Sequence, residues 1–173
     1  MSDFPVYLRI TTENEEPLFN NRSSAEAVIG VVISAQMQGW MRLHGFVVLP
    51  EALEMVMSPI KQSVSGVAAH VQAETIPLLA VLLPNAGMIW ERKFTQVSLT
   101  TQQALDARLN MMLLAPVANG IADKAIAYPY SSANPRYAAA VSVYAGFTKA
   151  IIAVSDQPSA KTVAEDSKHS ANL

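Results

Sequence analysis

Residues 43–57 read LHGFVVLPEALEMVM, and this stretch sets the expected fold. Both faces of the segment 42–49 are largely apolar, which is typical of a strand covered on both sides and predicts a central strand. Pro50 and Glu51 then make a tight reversal, and residues 52–57 return as a partner strand. The stretch therefore predicts a β-hairpin inside an antiparallel sheet.

The segments on either side of this hairpin alternate between strands and helices. Two further strands, at 6–11 and 88–98, are predicted from β-branched and aromatic residues and from their alternation with polar ones. The remaining periodic segments predict helices at about 23–38, 58–72 and 100–115, with a short one at about 137–147.

Local signals predict where these helices begin and end. Ser23 with Glu26 has the spacing of a capping box, in which each side chain bonds the backbone of the other. Ser58 before Pro59 is typical of an N-cap followed by proline in the first turn. Pro116 predicts a helix end near residue 115, because a proline disfavours helical geometry at the preceding residue.

The order of these elements is strand, helix, hairpin, helix, strand, helix. This order predicts an α+β fold of the ferredoxin-like sandwich type, an antiparallel sheet with helices packed on one face. Residues 1–153 are expected to form this domain. Residues 154–173 are polar, and we expect a flexible C-terminal tail there.

Composition and charge exclude several kinds of site and several classes of protein. The formal net charge is -2, which argues against strong nonspecific binding to nucleic acid. The chain has no cysteine, which excludes disulfides and thiolate metal sites. The opening MSDFP lacks the features of a secretory signal, and the apolar stretch 76–84 is too short to span a bilayer. We therefore expect a cytoplasmic protein without a membrane partner.

Several stretches, in matching order, resemble the REP-associated tyrosine transposases, a single-tyrosine HUH-type family. They are YLRITTENEEPLF at 7–19, LHGFVVLPEALEMVM at 43–57, IWERKF at 89–94, LNMMLLAPVANGI at 109–121 and YPYSSA at 128–133. The resemblance implies a domain that cleaves single-stranded DNA hairpins in transposition. It also implies two histidines on one strand that hold Mg or Mn, and a helical tyrosine that attacks the scissile phosphate.

The positions that carry this chemistry in the family hold other residues here. The two histidines fall on Ala52 and Glu54, the tyrosine on Met111, and the polar residue four positions later on Ala115. We therefore predict no catalytic residues, no metal site, no cofactor and no enzymatic cleavage. Glu54 is expected to be a solvated carboxylate rather than a remaining metal ligand, because hard cations require several oxygen ligands.

Two functions from different classes remain open. In the first, an inactive transposase-like protein still binds single-stranded or hairpin DNA, with Trp90 as a stacking surface and Arg92, Lys93 and Arg42 as phosphate contacts. In the second, the domain has lost DNA binding and associates with itself or another protein through the uncharged, apolar segment 76–84. On that view Arg92 and Lys93 only protect a sheet edge.

Overall fold

A computed structural model describes residues 4–147, which form a four-stranded antiparallel sheet covered by three α-helices. The strands are β1 (Val6–Thr12), β2 (Met41–Leu49), β3 (Ala52–Pro59) and β4 (Trp90–Ser98). The helices are α1 (Arg22–Met37), α2 (Val64–Leu82) and α3 (Gln102–Ala118), with 3-10 turns at Glu13–Glu15, Ala125–Ala127 and Pro135–Ala140. The strand order is β2-β3-β1-β4, so the predicted α+β, ferredoxin-like class is confirmed.

The hairpin of β2 and β3 forms as predicted, but β2 is an outer strand of the sheet rather than a central one. Its free edge is covered by the loop around residue 131. The Val48 amide of β2 donates to the Tyr130 carbonyl of this loop at 2.8 Å, and the Ser132 amide of the loop donates to the Phe46 carbonyl of β2 at 3.0 Å. The backbone groups of an outer strand are thereby paired, as those of a central strand would be.

The two faces of the sheet carry separate apolar cores, which explains why β2 is apolar on both sides. Helices α1 and α2 share one face, as expected, and bury β1 residues such as Leu8 and Ile10. Helix α3 covers the opposite face, which the order of elements did not indicate. Met112 of this helix packs with Val47 and Val56 of the hairpin there.

Gly45 permits the close approach of α3 to β2. A Cβ atom at this position would lie 2.8 Å from Cδ2 of Leu109 and 3.1 Å from the terminal methyl of Met112. Any larger residue would force these side chains to move, because real Cβ atoms essentially never approach other heavy atoms that closely.

Two helix starts differ from the predictions. Asn21, not Ser23, caps α1, and its side-chain oxygen accepts from the Ser23 amide at 2.7 Å. Strand β3 continues to Pro59, so Ser58 caps nothing. Ser63 caps α2 instead and accepts from the Gly66 amide at 3.1 Å. Short cap-like motifs recur by chance, and here strand pairing with β2 outweighs the local signal at Ser58.

Both α2 and α3 continue through a proline. Helix α2 passes Pro77 and runs about ten residues beyond its predicted end, and α3 passes Pro116 before ending at Ala118. An interior proline costs a helix about 3 kcal/mol, because a hydrogen bond is lost and the ring crowds the previous turn. Burial of Leu79 beyond the first proline, and of Pro116 itself, offsets that cost.

Helix α2 is long and apolar enough to cross a membrane by length and composition alone, and 28% of its most apolar window is buried. The short apolar stretch 76–84 predicted no membrane-spanning helix. The helix is longer than that stretch, because it runs without a break from Val64 to Leu82. One side of α2 lies in the core through Val67, Val71 and Leu79.

At the C-terminal end, a 3-10 turn at Pro135–Ala140 replaces the helix predicted for 137–147. The domain boundary at 153 and the expected tail lie outside the described residues.

Candidate nucleic-acid interface

A polar cluster lies on the sheet face that α3 covers. Arg9 of β1 pairs directly with Glu54 of β3 in the register of the sheet, and their side chains form an ion pair of 3.2 Å. The Tyr7 hydroxyl also donates to the Glu54 carboxylate. Glu54 is only 7% exposed, so these two donors replace the water that the carboxylate would otherwise bind. The expected solvated carboxylate is therefore a buried and paired one.

Helix α3 completes this cluster from above. The guanidinium of Arg108 lies 4.3 Å from the centre of the Tyr7 ring, which is cation–π geometry. Glu51, in the hairpin turn, lies 3.8 Å from Arg9 as a second carboxylate. Arg9 thus faces both carboxylates, and with Arg108 counted the formal charge of the cluster is zero.

The Tyr7 hydroxyl is a poor nucleophile in this environment. Burial raises the pKa of Tyr7 well above its usual range, and the hydrogen bond and negative charge of Glu54 raise this pKa further. Arg9 and Arg108 lower the pKa by less than burial raises it. The phenol is therefore protonated at neutral pH, and its ring is enclosed between the sheet and α3.

The other residues at the positions aligned with catalytic groups are apolar. Ala52 is fully buried in the sheet, Met111 is 63% exposed on α3, and Ala115 is partly buried one turn further along that helix. Within residues 4–147, no group of three or more His, Cys, Asp or Glu side chains is placed to hold a metal ion.

The four predicted nucleic-acid contacts do not form one surface. Trp90 is 5% exposed; its indole N–H donates to the Thr75 hydroxyl at 2.8 Å, and its ring packs on Phe19. The prediction that Trp90 offers a stacking surface is therefore wrong, because the ring belongs to the core. Arg92 and Lys93 are exposed on β4. Arg42, also exposed, lies on β2 at the opposite edge of the sheet.

An apolar cleft opens beside Arg92, between the second half of α2 and the start of β4. Its volume is about 390 Å³, and its walls include Ile76, Ala80, Leu83 and Ile89. A shallower groove continues from its mouth past Lys93. Arg92 and Lys93 thus lie at the rim of a concave surface, and no ion pair within residues 4–147 uses either of them.

His44 of β2 has a hydrogen-bond partner at each ring nitrogen. Its Nδ1 lies 2.7 Å from the Ser142 carbonyl, which only accepts, so Nδ1 carries the proton. Nε2 lies 2.8 Å from the Ser58 hydroxyl and accepts from it in the neutral ring. Burial lowers the pKa of His44 from 6.5 and favours this neutral form.

Comparison with known proteins identifies the fold. No family model and no curated protein matches the chain. Among solved structures, a REP-associated tyrosine transposase bound to a REP hairpin superposes with a TM-score of 0.66 over 80% of this chain and 81% of that one, at 13% identity. This chain has the fold of a REP-associated tyrosine transposase.

A second structure supports the same transposase fold. A protein of Deinococcus radiodurans R1 described as a transposase has a TM-score of 0.50 at 12% identity, over 69% of this chain and 92% of that one. The resemblance seen in the sequence is thereby confirmed at the level of fold.

Sequence reasoning missed the cluster of side chains around Glu54. Tyr7 and Arg9 lie more than 40 positions before it, and Arg108 lies more than 50 positions after it. One signal was present, because pairing the predicted strand 6–11 with 52–57 brings a basic residue opposite an acidic one. Nothing in the sequence placed Arg108 over the Tyr7 ring.

Proposed function

We propose that this protein is a transposase-like domain that binds single-stranded or hairpin DNA in the cytoplasm without cutting it. The observation that carries the proposal is the neutral cluster of Tyr7, Arg9, Arg108, Glu51 and Glu54, which stands within a transposase fold at the strand aligned with the metal-binding one. A cleaving enzyme needs a metal or cation directed at the phosphate and an accessible nucleophile. The cluster supplies neither.

The residues aligned with the catalytic groups argue in the same direction. Met111 is accessible but carries a thioether, which cannot replace a phenol as a nucleophile toward phosphate. Tyr7 has the phenol but is buried and protonated. Glu54 has ligand oxygens, yet they bind Arg9 and Tyr7. Hence neither Mg nor Mn is proposed as a cofactor.

DNA binding is supported by the fold and by the cations of β4. The structural relative is described as bound to a hairpin, and Arg92 and Lys93 are exposed without an ion pair in the described part of the chain. Glu13 and Glu91 border the same groove and oppose phosphate binding. We therefore expect moderate affinity that depends on salt.

A labelled hairpin with single-stranded flanks tests both halves of this proposal. We expect binding at low salt that weakens as salt rises, and no covalent protein–DNA band on a denaturing gel with Mg or Mn. The double variant Arg92→Ala/Lys93→Ala should bind more weakly. Arg22→Ala is the matched control, because Arg22 is exposed but already pairs with Glu26 at 3.0 Å. A covalent band, or no binding at any salt concentration, contradicts the proposal.

One observation favours the second candidate, self-association or binding of another protein. The last turns of α2 expose Ile76, Leu78, Val81 and Leu82, and Val81 is 80% exposed. A charge at Val81 is the suitable test of an interface there, because Leu79 is fully buried and a charge at Leu79 would unfold the helix. A concentration-dependent dimer that Val81→Glu abolishes would establish this candidate.

A further inference from the structure

The cleft beside α2 has the volume and lining of a binding site for a small, mostly apolar group. Small-molecule sites in proteins are concave, apolar and about 300–1,000 Å³ in volume, with a few polar groups that fix orientation. This cleft holds about 390 Å³. Its polar rim is formed by Gln72, Glu91 and Arg92, while the rest of its lining is aliphatic apart from Trp90.

The cleft opens directly onto a second, polar surface. The shallow groove shares Met88, Glu91 and Arg92 with the cleft and adds Glu13 and Lys93. An apolar recess is therefore continuous with a channel that carries two neighbouring cations. A ligand that fits both must have an apolar body attached to an extended anionic chain.

We infer that the cleft takes one unstacked base of a DNA strand while Arg92 and Lys93 contact the adjoining phosphates. This inference rests on the proposed DNA-binding function and specifies its site. A base is flat and apolar on its faces and polar at its edge, as the recess requires. The Gln72 amide lies at the rim, where its Nε2 donates to the Glu91 carbonyl at 3.0 Å. That bond orients the side chain and leaves its oxygen to accept from a base edge.

The acidic residues of the groove account for the need for an apolar recess. Glu13 and Glu91 offset the attraction of Arg92 and Lys93 for phosphate, so backbone contacts alone give weak binding. Insertion of a base into the cleft adds an interaction that duplex DNA, with its bases stacked, cannot make. The site therefore selects flexible single strands or hairpin flanks over duplex.

The test uses the full chain and a labelled 12-nucleotide single strand of mixed sequence, intact or with one abasic position. Ala80→Phe fills the cleft, since Ala80 lines it and is exposed. Ala73→Phe is the matched control, an exposed alanine two helical turns earlier that does not line the cleft. We expect Ala80→Phe to weaken binding about tenfold or more and Ala73→Phe to leave it unchanged, with both folds verified by thermal melting.

The abasic strands connect this effect to a base. The best-placed abasic substitution should weaken binding to the unaltered protein about tenfold and should have little further effect on Ala80→Phe. Equal binding of DNA by both alanine variants, or indifference to every abasic position, overturns the inference and leaves the DNA-binding function standing. Absence of DNA binding by the unaltered protein overturns that function and this inference with it. A loss of dimer on Ala80→Phe, with DNA affinity unchanged, overturns the inference in favour of a protein partner.

Discussion

The charged residues on the two sides of the sheet are arranged in opposite ways. Under α3, Arg9 lies between Glu54 and Glu51, and Arg108 lies over the Tyr7 ring, so the formal charges of the cluster sum to zero. Beside α2, Arg92 and Lys93 stand at the rim of a cleft, and no ion pair within residues 4–147 uses them. The first arrangement stabilises the fold, whereas the second leaves charge available for binding.

This contrast predicts that substitutions in the two regions affect different properties of the protein. Changes in the cluster should lower the stability of the fold, and changes at the cleft rim should alter DNA binding with little effect on stability. Trp90 tests this division, because it lies two positions before Arg92 on β4 but its side chain is buried in the core.

The largest expected effect follows removal of the Trp90 side chain. Trp90→Ala should lower the free energy of unfolding by about 3–5 kcal/mol, because a buried aromatic is lost and the Thr75 hydroxyl loses its donor. Urea unfolding followed by circular dichroism measures this change. Arg92→Ala is the control and should stay within about 0.5 kcal/mol of the unaltered protein. Unchanged stability of Trp90→Ala would mean that Trp90 does not belong to the core.

A smaller loss should follow removal of the carboxylate from the cluster. Glu54→Ala leaves the buried Tyr7 phenol without its acceptor and Arg9 with only the more distant Glu51, and the expected cost is about 1–3 kcal/mol. Glu51→Ala is the matched control: Glu51 is more exposed and lies farther from Arg9, so we expect a change below about 1 kcal/mol. Equal effects of the two variants in urea titrations would show that the cluster does not stabilise the fold.

The cations of the cleft rim should change how DNA binding responds to salt. Loss of both Arg92 and Lys93 removes two phosphate contacts and should make the slope of log K against log salt less steep by about 1.4 for a single strand. Stability should be unchanged. Fluorescence anisotropy at four or more salt concentrations gives this slope, and an unaltered slope would place phosphate contacts elsewhere on the molecule.

The smallest effect concerns His44 and pH. Burial holds the pKa of His44 below 6.5, so the unfolded chain takes up a proton at this position before the folded one does. Stability should therefore be constant above about pH 6.5 and fall as the pH drops below it. His44→Asn, whose amide can still donate to the Ser142 carbonyl, should reduce this fall between pH 7 and 5. Identical pH dependence of both proteins would contradict the assignment.

The sequence predicted the elements better than their ends. The strand and helix types followed from apolar periodicity and β-branched content, and their order was sufficient for the ferredoxin-like class. The helix boundaries failed where burial decided the outcome. Pro77 looks like a helix breaker locally, yet Leu79 beyond it is fully buried and requires the helix to continue.

The candidate site was less predictable than the fold for a related reason. Trp90 carries a ring suited to stacking on DNA, and only the three-dimensional packing shows that Thr75 and Phe19 enclose it. The cleft beside it is formed by the bend from α2 into β4, in a stretch whose conformation no local pattern indicated. Its apolar character was visible in segment 76–84, but its concave shape was not.

The pairing of Arg9 with Glu54 also bears on what a metal site at this strand would require. Histidines placed at positions 52 and 54 would remove a carboxylate partner of Arg9 and leave a guanidinium beside any divalent cation that the histidines bound. The positive charge of Arg9 would repel a cation bound beside it. Metal-dependent cleavage by a tyrosine would thus require a change at Arg9 as well, together with a tyrosine at position 111. Ala52 is fully buried, so a histidine at position 52 would also lower the stability of the fold by overpacking the sheet.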